Sequence, residues 1–133
     1  MARIEHSIYS RLTDPASSTY AQVGTRVYPV MADQAATLPF VVFTREAEER
    51  ANAFGSGHVP AVSETDVTFE IHAKSPEKCD LVADAIYTDL MGKESQMTGV
   101  TVKGILFGRT RHGVAWLPDA YMVEADYTFG WQA

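Results

Sequence analysis

The sequence predicts an α+β domain, an antiparallel β-sheet of about four to five strands with two α-helices packed on one face. Three stretches predict it. From Thr65 to Lys74 the residues alternate strictly, with Val67, Phe69, Ile71 and Ala73 on one side and Asp66, Thr68, Glu70, His72 and Lys74 on the other. The stretch from Tyr121 repeats the pattern, setting Tyr121, Val123, Ala125, Tyr127, Phe129 and Trp131 opposite Met122, Glu124, Asp126, Thr128 and Gln132. Between them the period changes, and Cys79, Val82, Ala83, Ile86, Tyr87 and Leu90 recur at helical spacing.

The remaining elements follow in chain order. Ile4, Ile8 and Leu12, flanked by Tyr9, predict a short amphipathic helix ended by Asp14-Pro15, and a helix that short needs a surface to pack on. After Gly24, the run Thr25-Arg26-Val27-Tyr28 is a brief extended piece stopped by Pro29. Phe40-Val41-Val42-Phe43-Thr44-Arg45 is rich in β-branched and aromatic residues and predicts a buried strand. A charged, then Gly-rich stretch, Glu46 to Ser63, predicts a long loop between two paired strands, and a loop of that length is disordered or a working surface. Ser75-Pro76-Glu77 combines an N-cap hydroxyl, a proline at the first helical position and an acid near the positive end of the dipole, while Gly92 offers the stop. Val100 to Phe107 predicts a further strand, with a loop from Gly108 to Asp119 before the last one. The order is therefore α-β-β-β-α-β-β. Short links make neighbouring strands antiparallel, and the aromatic side of the last strand is expected under the helices.

Length and composition suit one domain over residues 1–133: 46% of the residues are apolar and 21% charged. A net charge of −6 disfavours nucleic acid and anionic membranes as whole-molecule partners. The single cysteine, Cys79, excludes an internal disulfide framework and a thiolate zinc cluster, and it fits synthesis in a reducing cytosol. No stretch approaches the roughly 18 apolar residues of a membrane span, and the first residues do not lead into a signal-peptide core, so a soluble, unprocessed chain is expected.

The candidate chemistry is sparse. His6, His58, His72 and His112 show neither helical metal-ligand spacing nor a link to cysteine, so no metal site is expected. Glu70 and His72 share a strand face, but two ligands are too few, and a solvated polar face is the simpler reading. Cys79 lies on the apolar stripe of its helix, as a buried structural thiol would. Gly55-Ser56-Gly57 lacks the spacing of a nucleophile elbow, and no glycine pattern suits a phosphate or a nucleotide cofactor. Glu124 and Asp126 are a carboxylate pair on one strand side, the arrangement a small hydrolase would use; an acidic surface stripe outweighs it, because nothing nearby in sequence predicts a raised pKa. Lys103, Arg109, Arg111 and His112 form the one basic concentration, suited to phosphates in a nucleic-acid-binding module or to acids of another subunit. Phe54, Trp116 and Leu117 put large apolar groups into loops, where they either fold back on the core or mark a contact surface.

The succession of segments resembles the tail-completion or tail-terminator proteins of long-tailed bacteriophages and phage-derived particles. The likeness is carried by the N-terminal helix, Val23-Gly24-Thr25-Arg26-Val27-Tyr28-Pro29, Leu38-Pro39-Phe40-Val41-Val42-Phe43, the alternating strand and helix from Val67 to Ile86, and the closing aromatic strand. It covers most of the chain, and its motifs are structural. The resemblance implies a non-enzymatic virion protein: a homo-oligomeric ring, commonly hexameric, that caps the tail tube, ends its polymerisation and joins the tail to the head connector. Its partners would be copies of itself, the tail-tube protein and the head-tail connector, with DNA as passing cargo, no cofactor and no membrane. It would reside in the virion at the head-tail interface, and in the host cytoplasm during assembly. A head-side neck or adaptor protein is the nearest alternative.

A closed ring uses two different faces of each subunit. The acidic run Glu46, Glu48 and Glu49 and the basic residues Arg109 and Arg111 are expected to supply complementary charge, and Phe54, Trp116 and Leu117 apolar contact. Glu124 and Asp126 are expected as lumen or docking acids, because bases lining a DNA conduit would slow passage.

Overall fold

In the computed structural model, residues 3–29, 37–51, 62–113 and 120–132 are described. Three helices, α1 (Ile4–Leu12), α2 (Ser18–Val23) and α3 (Pro76–Leu90), accompany five strands: β1 (Val27–Pro29), β2 (Phe40–Ala51), β3 (Val62–Ala73), β4 (Thr101–Gly113) and β5 (Tyr121–Gln132). The strands form one sheet in the order β1-β2-β3-β5-β4. Four of the five strands alternate in direction, as expected, but β1 runs parallel to β2. Residues 30–39 separate that pair, and a connection of this length lets the chain return to the start of the next strand, as a tight turn would not.

The local signals act where they were expected. Ser75 Oγ accepts from the Lys78 N–H at 3.2 Å, Pro76 opens α3, and Gly92 follows its end at φ 74°, a conformation that favours glycine. Helix α2 carries no comparable apolar stripe and is not legible in the pattern. It is held by Ser17 Oγ, which accepts from the Tyr20 N–H at 3.1 Å, and by Asp89 of α3, whose carboxylate accepts from the Ser18 and Thr19 N–H groups at 2.9 and 2.7 Å. Arg11 of α1 donates to the Asp89 carbonyl at 2.9 Å, so one buried aspartate ties the three helices together.

The main core lies between these helices and one face of the sheet. Ile4, Ile8, Leu12, Val82, Ile86 and Leu90 pack against Val41, Phe43, Phe69, Ile71, Tyr127 and Phe129. Phe69 stands edge-on to Tyr127 at 5.4 Å, and Trp131 donates its indole N–H to Thr65 at 2.9 Å, which satisfies the polar end of a buried aromatic. The helical stripes are narrower than the pattern suggests: Tyr9 is 39% and Tyr87 47% exposed, both on helix flanks, and Tyr87 packs edge-on against Phe107.

The strands extend further than the sequence predicts. β2 continues to Ala51, β3 begins at Val62 and β4 reaches Gly113, so Glu46, Glu48 and Glu49, like Arg109, Arg111 and His112, belong to strands rather than loops. Cross-strand backbone bonds compensate for weak β-propensity once a neighbour is present, and bulges at Arg45/Ala47 and Phe107/Thr110 absorb the irregularity. The helix-free face also differs from the expectation of a solvated surface. Phe40 and Val42, backed by Tyr28 and Leu38, form a second small core, and His72 is fully buried, stacked on Phe40 at 4.8 Å between ring centroids.

Candidate functional site

On the helix-free face the alternation of β3 and β5 and the register between strands bring charged residues into one row. Thr68 pairs with Asp126, Glu70 with Glu124, and Arg111 of β4 with Glu124. The bulge places Gly108 and Arg109 together opposite Asp126. A Cβ at Gly108 would stand 3.2 Å from the Asp126 carbonyl oxygen, so the close approach calls for glycine. Arg109 and Arg111 consequently both reach Asp126.

Arg111 donates from one guanidinium nitrogen to Glu124 at 2.6 Å and from the other to Asp126. Arg109 Nε lies 3.5 Å from Asp126, although 74% of its side chain is exposed. Thr68 donates to Asp126 at 3.0 Å, and Thr128 donates to Asp66 at 2.8 Å. Asp66, Thr68, Arg109, Arg111, Asp126 and Thr128, with Glu46, line a shallow depression of about 440 Å³. The hydrogen bond to Asp126 first, and that to Glu124 second, raise the Arg111 pKa above its ordinary value.

This arrangement limits the chemistry available. One guanidinium bridges the two carboxylates and fixes their orientation, which suits a docking surface. Glu70 and His72 lie beside each other on the same strand face. Burial lowers the His72 pKa, a hydrogen bond with Glu70 partly offsets this, and the ring lies 3.5 Å from the Glu70 carboxylate. Among the described residues no group of three or more His, Cys, Asp or Glu side chains is placed to hold a metal ion. Cys79 is buried as expected, with its thiol directed at the Tyr121 carbonyl at 3.4 Å, and burial pushes its pKa up.

The structure thus gathers Arg109, Arg111, Glu124 and Asp126 with Glu46 nearby, and it separates Glu48 from them. Glu48 faces the helices, where Arg3 and Arg45 approach it at 3.4 and 3.3 Å and Thr65 donates to it at 3.4 Å. Glu49 pairs with Glu64 across the sheet, but its side chain lies outside the described residues. Phe54, Trp116 and Leu117 also lie outside them. Sequence reasoning missed Asp66, Thr68 and Thr128 as members of the network. Their alternation was visible, but which strand would stand beside which was not.

No family model and no curated sequence matches the chain. Among solved structures, a chain described as "Virion of native gene transfer agent (GTA) particle" matches with a TM-score of 0.74 at 18% identity, covering 98% of this chain and 95% of that one. A crystal structure from Akkermansia muciniphila matches 67% of this chain and 40% of that one at 10% identity, and its TM-score of 0.31 carries no argument. The chain therefore shares its α+β fold, over nearly its whole length, with a chain of that virion.

Proposed function

We propose that this protein is a structural component of a phage-type or phage-derived virion, and that it forms a ring, commonly hexameric, that caps the tail tube, ends its growth and joins it to the head connector. The observation that carries the reading is the end-to-end fold likeness to a chain of the gene transfer agent virion. The succession of sequence segments, which resembles tail-terminator proteins, supports the finer assignment. The bridged carboxylates fit it too. Glu124 and Asp126 act as lumen or docking groups whose charge Arg109 and Arg111 temper, and an acidic subunit passes DNA without retaining it. Glu46, Glu48 and Glu49 on β2 and the apolar residues Phe54, Trp116 and Leu117 serve contacts between subunits or with the tube.

Electron microscopy and light scattering of the purified protein, alone and mixed with tail-tube subunits of the same particle, test this. Rings that halt tube elongation are the expected result. A strict monomer that neither joins tubes nor blocks their growth overturns the proposal. Co-purification with head-free tails is expected, and co-purification with tail-free heads would move the protein to the head-side neck.

A further inference from the structure

The sheet has two unlike edges. Among the described residues β4 pairs with β5 alone, β1 covers β2 only along Val41–Phe43, and no strand pairs with that edge of β2 from Thr44 onward. In that half the sheet is β2-β3-β5-β4, and each neighbouring pair is antiparallel. β2 and β4 therefore run in opposite directions. Between the register shifts at Arg45/Ala47 and Val102/Gly104, three consecutive rows cross this half: Ala47-Asp66-Thr128-Leu106, Glu48-Thr65-Phe129-Ile105 and Glu49-Glu64-Gly130-Gly104. A copy generated by rotation about an axis along the strands would bring its own β2 antiparallel against β4 with these rows in line. An even number of alternating strands in each subunit is what such a continuation requires.

Charge selects the same pairing. β4 carries Lys103, Arg109 and Arg111 and no acid, so two β4 edges laid together would oppose base to base. The free part of β2 carries Glu46, Glu48 and Glu49 against Arg45 and Arg50, and Arg45 is already held by Glu5 and Glu48 at 3.3 Å. Lys103 and Glu46 are exposed without an ion pair among the described residues. Leu106, 68% exposed, adds apolar surface at the β4 edge. An edge strand of 13 residues with unpaired backbone groups is a template for a further strand.

We propose that the subunits of the ring join by strand addition, the β4 edge around Gly104–Phe107 pairing antiparallel with the Thr44–Ala51 edge of β2 in a second copy, so that one continuous sheet runs through the assembly. The contact is heterologous and closes head to tail. It rests on the ring reading above.

The test uses full-length protein with two sets of charge reversals, Lys103→Glu with Arg109→Glu, and Glu46→Lys with Glu49→Lys. Light scattering should show each set alone reduced to smaller species, while an equimolar mixture of the two restores rings. Hydrogen exchange reads the contact directly, and amides of Gly104–Phe107 and Ala47–Ala51 should exchange about tenfold or more slowly in the unmodified ring than in the protein carrying Lys103→Glu with Arg109→Glu. If both sets assemble like the parent, or those amides are unprotected in a ring, the edge contact is overturned and the ring reading stands. Dimers alone in the mixture would mean that β4 meets β4, which also overturns it. A parent protein that is monomeric with and without tube subunits removes both proposals.

Discussion

The two faces of the sheet are built from the same strands yet obey different rules. Toward the helices, Val67, Phe69, Ile71, Ala125, Tyr127 and Phe129 are sealed by apolar contact, and Thr65 accepts the indole N–H of Trp131. On the other face, Glu124, Asp126 and Arg111 are half-buried and are bound, with the exposed Asp66 and the buried Thr68, through side-chain hydrogen bonds between strands rather than through the core. The first face holds the molecule together through area removed from water. The second presents fixed charge whose arrangement depends on register. Stability and recognition are thereby divided between alternate residues of one strand.

The sharpest division is expected at Phe69. Replacing it with Ala should cost about 3–5 kcal/mol, the range for truncating a fully buried aromatic. On the same strand, Asp66→Ala should stay within roughly 0.5 kcal/mol, as most surface substitutions do. Urea titration of both variants measures the contrast, and equal losses would show that the two faces are not energetically distinct.

Asp89 tests whether the helix layer depends on polar as well as apolar contacts. Asp89→Ala leaves the Ser18 and Thr19 N–H groups without their acceptor and should cost about 2–3 kcal/mol, the scale of hydrogen bonds to a charged group. Asp89→Asn, which keeps one acceptor, should cost less. If both match the parent in urea titration, the helix layer does not depend on the Asp89 carboxylate.

The smallest effect is expected at His72, where the helix-free face has a core of its own. Its folded-state pKa lies below the ordinary 6.5, so as pH falls through that value the unfolded chain binds a proton that the folded ring refuses. The native state should lose stability over that window as pH falls, and the loss should end once pH passes the folded-state pKa. His72→Phe keeps a stacking ring on Phe40 and should flatten the slope in thermal melts between neutral and mildly acidic pH. An unchanged slope would place the pH dependence elsewhere.

Alternation made the core face of β3 and β5 legible in the sequence, and Ser75-Pro76 marked the start of α3, because burial and capping are properties of neighbouring residues. The ends of β2 and β4 were not legible. Glu46 to Ala51 and Gly108 to Gly113 have loop-like composition, and they are held as strands by backbone bonds to partners distant in sequence. The same limit hid the site. Arg111, Glu124 and Asp126 were each conspicuous, but a ladder register joins them, and a bulge at Gly108 admits Arg109 as well.

The sequence by itself determined the α+β class, the apolar stripes that bury and the acidic balance of the surface, all of which follow from residue type and spacing along the chain. Tertiary structure alone decided that β1 runs parallel to β2, that His72 is buried, that Asp89 ties three helices together, and that β2 and β4 become opposite edges. Each of these depends on which segments meet across long stretches of chain, and periodicity carries no record of those meetings.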